Sequence, residues 1–98
     1  MDIDIQHDPS RHRFFVEVKG GTAELAYRRL DDRTLELTHT GVPEAAAGHG
    51  IAGKLAKAAF DWARQTGTKL VVTCPFVTTW LERHPDQRDL VSPRPTGG

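Results

Sequence analysis

The chain turns into its longest predicted helix through Gly48-His49-Gly50-Ile51-Ala52-Gly53. Between Gly48 and Thr66, apolar residues recur at the spacing of a helix that buries one face. The N-terminus of a helix exposes unpaired backbone N–H groups, and glycine has no Cβ to keep a phosphate away. The stretch therefore predicts either a pyrophosphate site on the first helical turn or glycines that only turn the chain into the helix.

On the C-terminal side of this helix, the sequence predicts a strand and a second, shorter helix. Gly67 stands where a left-handed residue ends a helix, and residues 69–73 form a β-branched apolar run typical of a buried strand. Cys74-Pro75 ends that strand because proline cannot donate to a sheet, and residues 76–83 follow as the short helix. The predicted buried side of this helix consists of Phe76, Trp80 and Leu81.

On the N-terminal side, three apolar-rich runs predict an antiparallel meander. The runs cover residues 14–18, 23–27 and 34–39. A glycine turn at residues 19–22 joins the first two runs into a hairpin. In the third run, strict alternation places His39 on the same inward face as Leu35 and Leu37.

Together these elements predict the fold class α/β (α+β), with an antiparallel meander followed by a right-handed βαβ unit. We expect a mixed sheet of four to five strands with one long and one short helix. A chain of 98 residues with 38% hydrophobic content has material for one core, so one domain is expected over residues 1–98. Its ordered part would cover residues 12–91, and residues 92–98, which lack an apolar anchor, would form a flexible tail.

Composition argues against several classes of function. The 13 basic and 13 acidic residues give a formal net charge of zero, which disfavours a dedicated nucleic-acid-binding protein. No apolar stretch is long enough for a membrane helix, and Met1-Asp2-Ile3-Asp4 is acidic where a signal peptide would be basic. Cys74 is the sole cysteine and asparagine is absent, so we expect a cytoplasmic protein. We also expect it to be a monomer or a weak dimer. The five histidines lack paired ligand spacing, so no metal site is expected.

Two nucleotide-binding motifs can be set aside. The chain has no Gly-Lys-Ser or Gly-Lys-Thr, which a P-loop requires. Gly48, Gly50 and Gly53 have the spacing of a dinucleotide fingerprint, but that fingerprint follows the first strand of a parallel sheet. Because an antiparallel meander precedes these glycines, a Rossmann-type domain is disfavoured.

The order of meander, glycine turn, helix, strand and Cys-Pro turn resembles the small, single-domain GNAT-type N-acetyltransferases. The resemblance covers residues 12–91 and implies a minimal GNAT-like fold. It is carried by Leu37-Thr38-His39-Thr40-Gly41-Val42-Pro43-Glu44, Gly48 to Leu55, Cys74-Pro75-Phe76-Val77, His84-Pro85-Asp86 and Asp89-Leu90-Val91. Each of these segments is unspecific alone, and their order makes the set specific.

The resemblance implies acetyl-CoA as the ligand of the glycine turn. The family pattern Q/R-x-x-G-x-G/A falls on residues 47–52, where Gly50 and Ala52 match and Ala47 departs, because the usual Gln or Arg is missing. Gln87 also departs, since an aromatic residue often follows the His-Pro-acidic triplet. The residues implied to hold the pyrophosphate are Gly48, His49, Gly50, Ile51 and Ala52.

By the same resemblance, the pantetheine arm would lie along the strand that ends near Thr40-Gly41-Val42, and the thioester would lie near Cys74. The candidate catalytic residues are His39, Cys74 and Glu44, because acetyl transfer needs a neutral amine, a polarised thioester and a proton acceptor. Cys74 has three interpretations: an acetylated nucleophile, a proton donor to the departing thiolate, or a buried packing residue. His39 is either a general base or a hydrogen-bonded, semi-buried histidine, and Glu44 is either a base or a solvated loop carboxylate.

The function implied is acetyl-CoA-dependent transfer of an acetyl group directly to a primary amine, on a small molecule or a protein lysine. An alternative belongs to a different class of protein. A noncatalytic acyl-CoA-binding or protein-interaction module could keep the same fold without turnover, and the missing Gln or Arg at Ala47 favours it.

Overall fold

The computed structural model describes residues 4–92. Five strands form one sheet in the order β1-β2-β3-β4-β5, antiparallel from β1 to β4 and parallel between β4 and β5. The strands are β1 (Gln6–Asp8), β2 (Arg13–Val18), β3 (Gly21–Asp31), β4 (Thr34–Gly41) and β5 (Lys69–Val72), and the helices are α1 (Ile51–Thr66) and α2 (Pro75–Arg83). The predicted fold class is confirmed, because a meander is followed by a βαβ unit with one long and one short helix.

Short 3₁₀ turns complete the described chain at Pro9–Arg11, Glu44–Ala46 and Pro85–Leu90. The backbone N–H of Ser92 donates to Leu70 O at 2.7 Å, so the first residue of the predicted tail is tied to the sheet. The rest of that predicted tail, residues 93–98, lies outside the described residues. None of the helices within residues 4–92 is both long and apolar enough to cross a membrane.

Strand β1 extends the sheet beyond the predicted meander. Its three residues have no apolar alternation, and its central side chain, His7, is held instead by distant parts of the chain. The His7 ring stacks on Phe14 with centroids 4.3 Å apart, and His7 Nε2 lies 2.6 Å from the Tyr27 hydroxyl oxygen. The strand therefore depends on tertiary contacts that no short sequence window contains.

Helix α1 begins later than predicted, at Ile51 instead of Gly48. Gly48 and Gly50 have φ values of 85° and 72°, which place both in the left-handed region outside the helix. The predicted end is confirmed, because Gly67 has φ 69° and donates its backbone N–H to Ala63 O. The glycines thus delimit the helix at both ends.

Both helices bury their apolar sides in one core, together with the sheet face that carries Leu25, Leu35 and Leu37, here called the helix face. In α2, Val77, Trp80 and Leu81 are buried, and the prediction for Trp80 and Leu81 is confirmed. The prediction for Phe76 is wrong, since its side chain is 38% exposed. Positions 77, 80 and 81 share one helical face, and position 76 is turned about 100° away from it.

The opposite face of the sheet, here called the polar face, carries Arg13, Glu24, Arg28 and Glu36. These residues alternate along the strands with those of the helix face. They pair with one another across the strands, with Arg13 Nη1 2.9 Å from Glu24 Oε1 and Arg28 Nη2 2.6 Å from Glu36 Oε1. The two faces of the sheet therefore offer different chemistry to a ligand.

Candidate functional site

The pairing between strands β4 and β5 stops before β4 ends. Their last register pair is Leu37 with Val72, whereas β4 continues to Gly41. Thr73 and Cys74 both donate their backbone N–H groups to Leu37 O, at 3.1 and 3.0 Å, and Pro75 then begins α2. Residues 38–41 of β4 consequently have β3 on one side and no strand partner on the other, and we call the region between this segment and Cys74 the slot.

A β-bulge at Thr38 determines which β4 side chains line the slot. Tyr27 pairs with Leu37 and Ala26 pairs with His39, so one extra residue of β4 lies between the two pairs. His39 therefore faces the polar face of the sheet, opposite Ala26, and is exposed. The predicted inward register of His39 is wrong, because the bulge reverses the alternation on which that prediction depended.

Thr40 takes the inward position instead. It pairs with the fully buried Leu25, and its hydroxyl oxygen lies 3.2 Å from Cys74 Sγ. The Cys74 side chain is buried, with 2% of its surface exposed. The structure thus brings Cys74 together with Thr40, a residue that the sequence analysis placed along the pantetheine arm without a catalytic role, and places His39 on the other face.

The glycine turn leaves the start of α1 without a side-chain cap. The first helical hydrogen bond runs from Lys54 N to Gly50 O, so the amides of Ile51, Ala52 and Gly53 have no partner within the helix. A Cβ placed on Gly48 or Gly50 would meet no atom within 4 Å, which shows that this backbone is open to its surroundings. The first turn also carries no acidic residue. These features suit an anion.

Two of these residues, Ala52 and Gly53, line a groove of about 790 Å³ between α1 and α2, here called the basic groove. Its walls include the side chains of Lys54, Lys57 and Arg83, while no carboxylate from residues 4–92 lines it. Lys57 is engaged with Asp61 at 2.7 Å, whereas Lys54 and Arg83 form no ion pair within the described chain. Two unpaired cations therefore flank the uncapped helix end. The groove also includes His49, Phe76, Trp80, His84 and Gln87.

A second groove, of about 760 Å³, lies on the other side of the first turn of α1. His49 and Lys54 line both grooves. The second groove also includes the carboxylates of Asp4 and Glu17, which would repel a phosphate. The basic groove is therefore the better anion site of the two.

The remaining predicted residues lie around this arrangement. Gly41 ends β4 and Val42 follows it, half-buried against the core. Glu44 begins the turn Glu44–Ala46, is exposed, and has no ion pair in the part of the chain that the structure describes. His49 is exposed beside the start of α1. The structure thus places the glycine turn on the wall of the basic groove, Thr40 beside Cys74, and His39 on the polar face.

Sequence reasoning missed Lys54 and Arg83 as site residues, and it missed the contact between Thr40 and Cys74. Lys54 follows the glycine turn by one helical turn, and this spacing was a usable signal. Arg83 belongs to α2, and only the packing of α2 against α1 brings it to the same groove. Thr40 had no usable signal, because its inward position results from the bulge.

Comparison with known proteins defines the class. A family model described as GCN5-related N-acetyl-transferase matches residues 13–90. The chain therefore belongs to the GCN5-related N-acetyltransferase family, and the resemblance found in its sequence is confirmed. Among curated proteins, it is 36% identical over 85 residues to protein NATD1 of Xenopus tropicalis, covering 85% of this chain and 78% of that protein. The human NATD1 protein is also 36% identical over 85 residues, with coverage of 85% and 75%.

A solved structure supports the same assignment. The solution NMR structure of a GCN5-like protein from Staphylococcus aureus superimposes on this chain with a TM-score of 0.71 and 26% sequence identity. The match covers 96% of this chain and 92% of that one. The similarity therefore extends across the whole architecture, including the meander, α1, β5 and α2.

Proposed function

We propose that this protein is an acetyl-CoA-dependent N-acetyltransferase that moves an acetyl group directly to a primary amine of a small molecule or a protein lysine. The observation that carries the proposal is the uncapped start of α1, whose first turn lines a groove with two unpaired cations. Membership of the N-acetyltransferase family supplies the reaction class.

The residues of this region fit the chemistry of coenzyme A. The amides of Ile51, Ala52 and Gly53 would hold the pyrophosphate, with Gly48 and Gly50 allowing its close approach. Lys54 and Arg83 would supply positive charge beside the pyrophosphate, which an Arg at position 47 of the family pattern would otherwise supply and Ala47 does not. Backbone groups of Gly41, the last residue of β4, and of Val42, which follows it, would bind the pantetheine amides as a neighbouring strand does.

In this proposal, the proton acceptor and the proton donor lie on different sides of the sheet. Acetyl-CoA supplies the acetyl group as a thioester, which is activated toward attack by a neutral amine. His39, exposed on the polar face, accepts the proton of the incoming amine, with Glu44 as the second candidate for this role. Cys74, at the closed end of the slot, donates a proton to the departing sulfur. Direct transfer follows, without an acetylated cysteine.

We further propose that the protein acts in the cytoplasm as a monomer or weak dimer. Its sole cysteine is a buried free thiol, as is usual in a reducing compartment. Its acceptor is a primary amine reached from the polar face.

One observation favours a second candidate function. Ala47 replaces the Gln or Arg of the family pattern, and a protein that binds acyl-CoA without turnover could tolerate that replacement. Such a module would keep the basic groove and lose the dependence on His39 and Cys74. A pure protein-interaction module would not bind acetyl-CoA at all.

The test is a titration of isotope-labelled protein with acetyl-CoA, followed by amide NMR shifts, with free acetate as the control ligand. Shifts centred on residues 48–53, Gly41-Val42 and Cys74 support the donor site. Release of free CoA in the presence of a primary amine supports the enzyme, whereas the same shifts without CoA release favour the binding module. Amides that stay unmoved at millimolar acetyl-CoA overturn both acyl-CoA functions.

A further inference from the structure

The Thr40 hydroxyl and the Cys74 thiol form an isolated polar pair inside the slot. Their Oγ1 and Sγ atoms are 3.2 Å apart, within hydrogen-bond distance for sulfur. Within residues 4–92, neither side chain has another hydrogen-bond partner, and Thr40 is half-buried while Cys74 is buried. Each group therefore determines how the hydrogen of the other is directed.

Neighbouring threonines do not share this contact. Thr78 Oγ1 donates to the backbone carbonyl of Cys74 at 3.1 Å, and Thr73 Oγ1 donates to Glu36 Oε2 at 2.8 Å. Both hydroxyls are thus directed away from the thiol. The bulge at Thr38 brings Thr40, in place of His39, to the helix face of the sheet, where it reaches Cys74.

We propose that Thr40 is a positioning residue for acetyl transfer: its hydroxyl donates a hydrogen bond to Cys74 Sγ and leaves the thiol hydrogen directed into the slot. This inference depends on the proposed function, in which Cys74 is the proton donor to the departing sulfur. The Thr40 hydroxyl then stabilises the negative charge that remains on Sγ after the proton has left. A hydrogen bond to a charged partner is stronger than one between neutral groups, so the interaction favours proton donation.

Protons are conserved in this acetyl-transfer step. The Cys74 S–H bond breaks as an S–H bond forms on the sulfur that leaves the acetyl carbon, and the electron pair of the broken bond stays on Sγ. The amine nitrogen, now bonded to the acetyl carbon, gives up one proton to His39. That proton returns to Cys74 through solvent, so the enzyme ends in its starting state and no oxidant or reductant is required.

The test compares Thr40→Val, which keeps the shape and removes the hydroxyl, with Thr40→Ser, which keeps the hydroxyl. The matched control is Thr78→Val, which removes a hydroxyl bonded to Cys74 through its carbonyl only. Steady-state assays give kcat and the KM for acetyl-CoA for each variant. Circular dichroism checks folding, and Thr40→Ala provides the same comparison if the valine variant does not fold.

We expect the kcat of Thr40→Val for acetyl transfer to fall roughly ten- to a hundredfold, the equivalent of one hydrogen bond to a charged group, with little change in the KM for acetyl-CoA. Thr40→Ser and Thr78→Val should both stay close to the wild type in kcat and in KM.

An unchanged kcat in Thr40→Val, with an active wild type, overturns the inference and leaves the proposed function standing. An equal loss in Thr78→Val also overturns it, because the effect then follows from general disturbance near Cys74. A wild type that releases no CoA with any amine refutes the proposed function itself, and the role of Thr40 in proton donation with it.

Discussion

His39 and Thr40 exchange the positions expected from their sequence, since one extra residue in β4 turns His39 toward the polar face and Thr40 toward the core. An exposed imidazole on the polar face can reach an amine that approaches from solvent. Thr40 instead meets the buried thiol. The proposed acid and base therefore act from opposite faces of the sheet, with the slot between them.

Replacing His39 by alanine should lower kcat by about a hundredfold or more, because a positioned base contributes roughly 10²- to 10⁴-fold. Acetyl-CoA affinity should remain unchanged, since His39 lies outside the basic groove. Steady-state assays and calorimetric titration measure the two effects. His12→Asn is the control, because His12 is another exposed histidine and asparagine tolerates its φ of 53°. Equal kcat in His39→Ala and the wild type would assign the base role elsewhere.

His7 should make the stability of the protein depend on pH. Burial lowers the pKa of His7 below its ordinary value of 6.5, with Arg29 lowering it further and Asp8 opposing the shift. The unfolded chain therefore binds a proton near 6.5, whereas the folded chain does so only at lower pH. The free energy of unfolding should fall as the pH decreases through 6.5 toward the folded pKa of His7.

Urea unfolding between about pH 7.5 and pH 5.5 measures this dependence. His7→Gln should show a weaker pH dependence than the wild type, because it removes the titrating group. Tyr27→Phe is the control, since it removes the hydrogen bond at 2.6 Å and keeps the imidazole buried. A wild type and His7→Gln variant with identical pH profiles would contradict the role assigned to His7.

At the scale of the elements, α1 has matching glycines at its two ends. Gly50 and Gly67 have φ values of 72° and 69°, and a Cβ on either would meet no atom within 4 Å. Alanine at each position should destabilise the fold by about 1–2 kcal/mol, the cost of the left-handed conformation with a Cβ. Gly50→Ala should also weaken acetyl-CoA binding, and Gly67→Ala should not. Thermal unfolding and calorimetry separate the two effects, and equal affinities would remove the glycine turn from the donor site.

The two helices contribute one unpaired cation each to the basic groove. Lys54→Ala and Arg83→Ala should each raise the Kd for acetyl-CoA about three- to tenfold at low salt, as partly exposed charge contacts do. Both losses should shrink when the salt concentration is raised. Arg88→Ala removes an exposed cation that does not line the groove and should leave Kd unchanged. If all three variants lost affinity equally, the effect would reflect net charge instead of the groove.

At the scale of the molecule, one core joins the sheet to both helices. Trp62 contacts His7 and Phe14 near β1, whereas Trp80 contacts Phe60 and His84 between the helices. These two tryptophans report on opposite ends of the core. In a cooperative domain of this size, both ends should unfold together.

Trp62→Phe and Trp80→Phe each leave one fluorescent reporter. In each variant, the fluorescence midpoint in urea should coincide with the midpoint from far-ultraviolet circular dichroism, although the two variants can differ in stability. The coincidence follows from the shared core, because neither helix has a second core to retain. A Trp62 signal that changes before the dichroism would show that the β1 end unfolds separately.

Much of this architecture could be predicted from local sequence. The meander, α1 and the end of β5 follow from apolar spacing, from Gly67 and from Pro75, each of which acts within a few residues of its position. The conformation of the glycine turn was equally local. Glycine adopts a positive φ without steric strain, so Gly48 and Gly50 can form this turn without contacts from distant parts of the chain.

Local sequence was sufficient to predict the order of the elements, the glycine turn and the place of Cys74 just after β5. The three-dimensional fold was needed to show that Thr40 contacts Cys74, that His39 lies on the polar face, and that Arg83 lines the same groove as Lys54. The physical reason is that a strand with one extra residue reverses its faces, and the pairing with β3 determines where that residue lies. Contacts between distant elements likewise depend on packing, which no local periodicity contains.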